Sequence, residues 1–242
     1  MNVIYDIGNT VNKLAVYDNG KKVISLRTRE HSCEKLRDKV SPFRLDKMII
    51  SSVRELPEFM YDLMSVDIPL VHIFTHKSKL PFRNEYKTPE TLGPDRLAAV
   101  AGAYSHFAGE EVLIIDAGTA ITYDYLSGKN YKGGNISPGL SMRFRALHKF
   151  TDKLPLESVS GEYTFPGKNT ADALKAGVIT GVVYEINEYI RTFKKEHKKL
   201  EVIITGGDSE FLKERIRYRT RHIPDLVLDG LNFILEYNAK QA

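Results

Sequence analysis

Cysteine is nearly absent from this chain. The one thiol, Cys33, cannot form an intrachain disulfide, and with no second cysteine or acidic cluster nearby it makes a poor zinc site. No apolar run approaches the roughly 20 residues of a membrane-spanning helix. The N-terminus passes straight into a strand pattern without the layout of a signal peptide, so a cytoplasmic protein is expected. Neither charge dominates: 35 basic and 31 acidic residues leave a formal +4, which requires no nucleic-acid or membrane partner. The densest basic run, KKEHKK at 194–199, reads as the solvated end of a helix followed by a loop. Two common nucleotide signatures are also missing. No G-x-G-x-x-G follows a strand, and the nearest approach to a P-loop, from Gly161, has one residue too many between its glycines and Asn169 where a hydroxyl residue should follow Lys168. The apolar and charged fractions, 42% and 27%, are those of a globular chain, and 242 residues can bury a sizeable core in one large or two small domains.

An internal repeat is the first positive signal. VIYDIGNTVNKLAVYDNGKK around Asp6 is echoed by LIIDAGTAITYDYLSGK around Asp116. Each has apolar residues, Asp-x-Gly, a hydroxyl, an alternating stretch and a turn ending in glycine and lysine. Asn19-Gly20 and Ser127-Gly128 punctuate both as strand–turn–strand units, so each half begins with a β-meander carrying an acid at its first bend. After the first meander the pattern predicts a short helix near 33–40, a buried strand at 47–53, a helix near 57–64 and a strand at 69–74. That alternation suits parallel α/β pairing. A helical pattern from Leu92 to Phe107 leads to a boundary near residue 110, giving domains 1–110 and 111–242. In the second half a long helix is expected at about 170–193, and LEVIITGGD reads as a buried strand running into a glycine turn. Val178, Ile179, Val182, Val183, Ile186 and Ile190 along that helix exceed one core-facing stripe; they predict a homodimer interface, with burial inside the subunit as the alternative. His72 and His76 have no acid between them and do not suggest a metal site.

Backbone amides wrap an anion closely only where no Cβ intervenes, which is why phosphate loops are rich in glycine. DIGNT, DAGTA and TGGD at 205–208 are three such loops. A single Asp-x-Gly is weak; two in matched meanders are far more specific. A plain hairpin would leave Asp6 and Thr10 without a reason, whereas an acid and a hydroxyl are what a phosphate and its metal ion require.

DIGNTVNK at 6–13, GPDR at 93–96, DAGTAITYD at 116–124, GGNISPG at 133–139, NTADAL at 169–174 and TGGD at 205–208 stand in the order of the type III pantothenate kinases, which the chain resembles over nearly its whole length. The resemblance implies two duplicated actin-like (ribonuclease H-like) α/β domains with a cleft between them for ATP. It implies ATP-dependent phosphorylation of pantothenate, the first step toward coenzyme A, by a homodimer using Mg²⁺ and a monovalent cation such as K⁺ or NH₄⁺. Asp6 would then help place magnesium, while Ile7, Gly8, Asn9, Thr10, Val11, Asn12 and Lys13 line the triphosphate. Asp116 would hold the monovalent cation, Thr119 would contact ATP, and Gly206 and Gly207 would form the adenosine-side loop, Asp208 serving equally as a helix N-cap. Asp95 would accept the proton of the pantothenate hydroxyl. Tyr86, Gly93, Pro94, Arg96 and Thr170 would line the pantothenate site, although this chain reads YKTP at 86–89 where the family commonly has Tyr-x-Asn-Pro, and Thr170 reads equally as the N-cap of the long helix. Two other classes remain open: another small-molecule kinase of the superfamily, or a non-catalytic nucleotide-binding regulator.

Overall fold

The computed structural model describes residues 1–28, 33–56, 58, 60 and 68–241. The chain forms two compact units. The first comprises Met1–Gly109, Gly128–Lys132 and Asp225–Ala242, the second Glu110–Ser127 and Gly133–Pro224.

In the first unit β1 (Asn2–Ile7), β2 (Asn12–Asp18) and β3 (Lys21–Thr28) form an antiparallel meander, and β4 (Lys47–Ser52) and β5 (Leu70–Ile73) extend it in parallel in the order β3-β2-β1-β4-β5. Every residue of β1 is buried, as expected for a central strand covered on both faces. The edge strand β3 instead alternates and carries Lys21, Lys22 and Arg27, charges that discourage pairing with another edge. Helix α1 (Cys33–Val40) follows the meander, and Leu36 packs with Val3, Tyr5, Leu14 and Ile50. The helix expected near 57–64 falls, apart from 58 and 60, outside the described residues. Helix α2 (Pro94–His106) matches the 92–107 pattern and buries Leu97, Val100 and Ala101.

The second unit restates the plan. Strands β7 (Glu111–Ala117), β8 (Ala120–Ser127) and β9 (Asn130–Pro138) form its meander, and β10 (Glu201–Thr205) and β11 (Arg221–His222) continue in parallel, in the order β9-β8-β7-β10-β11. YKGGNISP is therefore a third meander strand. Its opening residues count with the first unit, where the short β6 (Arg83–Asn84) pairs with Asn130 and Tyr131. Helices α3 (Leu140–Lys149), α4 (Thr170–Glu196) and α5 (Ser209–Lys213) complete this unit. The basic run at 194–199 is the end of α4 and the turn beyond it.

One expectation is corrected here. Of the α4 residues that predicted a dimer face, Val178, Ile179, Val182, Ile186 and Ile190 are buried in their own unit with Leu113, Ile115, Tyr123, Val202 and Ile204. The apolar surplus is consumed by a helix lying across a sheet, and each such side chain stabilises the unit by roughly 1.5–3 kcal/mol.

The C-terminal helix α6 (Leu226–Ala239) packs within the first unit. Asn232 accepts from Asn2 at 2.8 Å, Asp229 from Tyr17 at 2.6 Å, and Glu236 pairs with Lys47 at 2.8 Å. Gly230 lets α6 approach α2 so closely that a Cβ would strike the Ala98 carbonyl.

Candidate functional site

In the first unit the turn Gly8–Val11 joins β1 to β2. Asp6 and Lys13 stand opposite each other on these strands, with Nζ 3.9 Å from Oδ2. Asp6 is only 4% exposed, and its Oδ1 has no well-aligned hydrogen bond among the described residues; the Ser51 hydroxyl, beside it on β4, is close enough to favour the ionised carboxylate without closing one. Burial pushes the Asp6 carboxyl up to about 6. Lys13 pulls it down, the Asp95 carboxylate pushes it further up, and the nearby Ser51 hydroxyl pulls it down a little. A buried, incompletely satisfied carboxylate is costly until something covers it. Two expected contacts divide by atom: the Ile7 side chain lies in the core and the Asn12 amide donates to Tyr5 Oη at 3.2 Å, so these residues offer backbone toward the turn, while Asn9 and Thr10 are exposed.

Gly93 caps α2 and Pro94 is its first residue, with φ already suited to a helix. Asp95 Oδ1 accepts the Arg96 amide at 2.9 Å, which sets the carboxylate at the start of the helix. Arg96 is 5% exposed. Its guanidinium donates to Tyr131 Oη at 3.1 Å and lies 5.6 Å from the Tyr86 ring centre, a cation–π arrangement. Tyr86 and Tyr131 run within 5° of parallel, their ring centres 6.3 Å apart. The structure thus brings Asp6, Lys13 and Asp95 into one electrostatic group and joins Arg96 to Tyr86. Tyr131 was missed because it belongs to the second meander in sequence, and the β6–β9 pairing that delivers it leaves no local signal.

In the second unit Asp116 lies near the end of β7, opposite Thr122 on β8 and Thr205 on β10. The Thr122 hydroxyl is buried and has no hydrogen-bond partner among the described residues. Gly206, at φ +95°, presses against Asp116 Oδ1 and the Ala117 carbonyl where a Cβ would collide with both, so glycine is required there. The Asp208 amide donates to the Ala117 carbonyl at 2.9 Å and the Gly139 amide to the Thr119 carbonyl at 3.1 Å. The turn holding Thr119 is therefore stitched to both the SPG and the TGGD turns. Arg143 secures the former, donating to the Pro138 carbonyl at 2.8 Å while pairing with Glu185 at 2.5 Å.

Asp208 occupies the N-cap of α5 but makes no side-chain cap bond. At α4 the cap is Asn169, whose side chain accepts the Asp172 amide at 2.9 Å. Thr170 is therefore the first helical residue rather than the cap, because Asn169 holds the extended conformation a cap needs. With Arg143, Leu147, Leu154, Leu174 and Val178, Thr170 lines a cavity of about 700 Å³.

Comparison with known proteins gives consistent results. A family model described as type III pantothenate kinase matches residues 2–192. The type III pantothenate kinase of Phocaeicola vulgatus is 43% identical over 242 residues, covering 99% of this chain and 100% of that protein. That of Christiangramia forsetii is 39% identical over 246 residues, covering all of both. Among solved structures, a Baf family transcriptional activator from Campylobacter jejuni has TM-score 0.62 at 22% identity, over 98% of this chain and 99% of that one. A ROK family glucokinase from Streptomyces griseus has TM-score 0.54 at 12% identity, over 99% of each. At such identity these two share the fold, the duplicated actin-like α/β architecture that the family resemblance implies and the repeat fits. Matched over its whole length by these kinases, the chain belongs to the type III pantothenate kinase family.

Proposed function

We propose that this chain transfers the γ-phosphoryl group of ATP to the primary hydroxyl of pantothenate, giving 4′-phosphopantothenate and ADP in the first step toward coenzyme A. Beyond family membership, one observation carries the reading: Asp95, at the start of α2, lies near enough to the buried Asp6 to push its carboxyl up. An acceptor-side acid and a phosphate-side acid thus share one environment.

Phosphoryl transfer asks the protein chiefly for in-line placement and charge neutralisation. Asp95 takes the hydroxyl proton as that oxygen bonds to the γ-phosphorus and the bond to ADP breaks. Arg96, held by Tyr131 and Tyr86, grips the polar groups of pantothenate, with Tyr86, Gly93 and Pro94 lining its site; Thr170 is a pantothenate residue by the family resemblance alone. Lys13 serves as a point charge toward the phosphates, and the amides of Gly8, Asn9, Thr10 and Val11 face them. By the family resemblance, Thr119, Gly206 and Gly207 contact the nucleotide.

The residues present fit both cations. Magnesium typically uses one or two carboxylates plus phosphate oxygens and waters. The buried, incompletely satisfied Asp6 carboxylate matches that need. When bound, magnesium would neutralise phosphate charge. A monovalent cation fits Asp116, where a carboxylate oxygen and the Ala117 carbonyl both lie against Gly206, with Thr122 opposite on β8; these are oxygen donors suited to a hard ion.

A homodimer working in the cytoplasm completes the proposal. In place of α4's buried residues, the individually exposed apolar side chains Phe150 (80% exposed), Phe165, Ile136, Leu156 and, on α4, Tyr184 of the second unit are available for that contact, and no helix among the described residues is long and apolar enough to cross a membrane. A coupled ADP-release assay with pantothenate, sugars and acetate, each with and without potassium, tests the function. Release with pantothenate alone is expected, and equal release with and without it, at any cation composition, would overturn the reading.

A further inference from the structure

The Ser209 hydroxyl sits just beyond the TGGD turn and is 2% exposed. It lies 2.7 Å from the Gly206 carbonyl and 2.9 Å from His222 Nε2. A carbonyl can only accept, so the single hydroxyl proton points to Gly206 and the hydroxyl oxygen accepts from the imidazole; Nε2 therefore carries a proton. The other ring nitrogen faces a fixed pair: Nδ1 is 3.3 Å from Glu210 Oε2 and 3.5 Å from Lys213 Nζ, and those two are joined at 2.7 Å. A neutral ring accepts from Lys213 there and a protonated ring donates to Glu210. In both forms Nε2 still donates to Ser209.

This relay holds the carbonyl of a peptide between two glycines, where rotation meets little steric resistance. The Ser209 amide adds a second bond to the same carbonyl at 3.3 Å. In a planar trans peptide the N–H points opposite the C=O, so tying the Gly206 carbonyl toward Ser209 turns the Gly207 amide the other way. Gly207 is exposed, and a Cβ placed on it would meet no described atom within 4 Å. We propose that Ser209 and His222 are positioning residues of the adenosine-side loop, locking the Gly206–Gly207 peptide so that the Gly207 amide is presented to the nucleotide. This rests on the assignment of that loop to ATP made above.

Steady-state kinetics of Ser209→Ala, His222→Leu and His222→Gln, together with amide exchange of the parent with and without ADP, test the proposal. Losing one link of the relay should raise KM for ATP about five- to tenfold in Ser209→Ala and His222→Leu, with kcat and KM for pantothenate near parental. His222→Gln, whose amide can donate to Ser209, should return KM for ATP close to the parent. Parental KM for ATP in folded Ser209→Ala or His222→Leu overturns the inference, as does equal loss toward both substrates. The underlying loop assignment is read separately: ADP should slow amide exchange across residues 205–210 of the parent, and no protection there removes the loop from the nucleotide site and the inference with it.

Discussion

Replacing Asp6 with asparagine should abolish turnover and yet stabilise the nucleotide-free protein at neutral pH. Burial holds the carboxyl at about 6 in the folded chain, against 3.8 for an aspartate side chain in water. A carboxyl that binds its proton more tightly when folded favours the native state fully below the unfolded value and loses that advantage as pH rises from about 4 through about 6. Roughly two pKa units at 1.36 kcal/mol each correspond to about 3 kcal/mol of burial strain at pH 8. Asparagine removes the charge at nearly constant shape but also gives up the attraction of Lys13 at 3.9 Å, so a gain of about 1–3 kcal/mol is expected. For a chain of this size that is on the order of 3–10 °C in melting temperature. Thermal melts of parent and Asp6→Asn at pH 4 and pH 8, without nucleotide or magnesium, read the effect. The difference should be large at pH 8 and nearly vanish at pH 4, where the parent is protonated. Adding ATP and magnesium should raise the melting temperature of the parent much more than that of the variant. A variant that melts at or below the parent at pH 8 would refute the argument that this carboxylate is strained by burial and held for a cation.

Asp95→Asn should melt near the parent temperature, bind ATP and lose about 10²–10⁴-fold in turnover, as expected for loss of a general base; near-normal turnover with pantothenate would reduce Asp95 to a helix-start residue, whose dipole contact is worth at most about 1 kcal/mol. Asp116→Asn should retain its fold and lose potassium stimulation, and a parental response to potassium in a titration would end that assignment. Light scattering should show a dimer at working concentration, and Phe150→Glu should weaken it, because Phe150 is the most exposed large apolar side chain described; a monomeric parent counts decisively against the dimer.

Much of the candidate site could be proposed from sequence because its signals are local. Asp-x-Gly at the first bend of a meander, a glycine–proline helix start and a strand running into Gly-Gly are short patterns lying within a few residues, so their resemblance to the family's motifs put Asp6, Gly93, Asp95, Asp116 and Gly206 forward as candidates before any packing was known. The repeat was legible for the same reason, and each sheet contains the meander it implies. Periodicity foretold α4 but not what covers it, since an apolar stripe looks alike whether it meets a sheet of its own unit or a second copy. Nor could it show that Asn169 rather than Thr170 caps that helix, since either side chain can serve and the backbone decides. The remaining features depend on residues far apart in the chain: Tyr131 reaching Arg96 through the β6–β9 pairing, α6 returning to the first unit, and His222 reaching Ser209 beside the glycine turn. The chemical types and order of the phosphate and acceptor motifs were set by the sequence alone. The burial that strains Asp6 and the contacts that aim Arg96 and the Gly207 peptide were decided only by tertiary packing, because desolvation and side-chain direction belong to a residue's surroundings rather than to the residue.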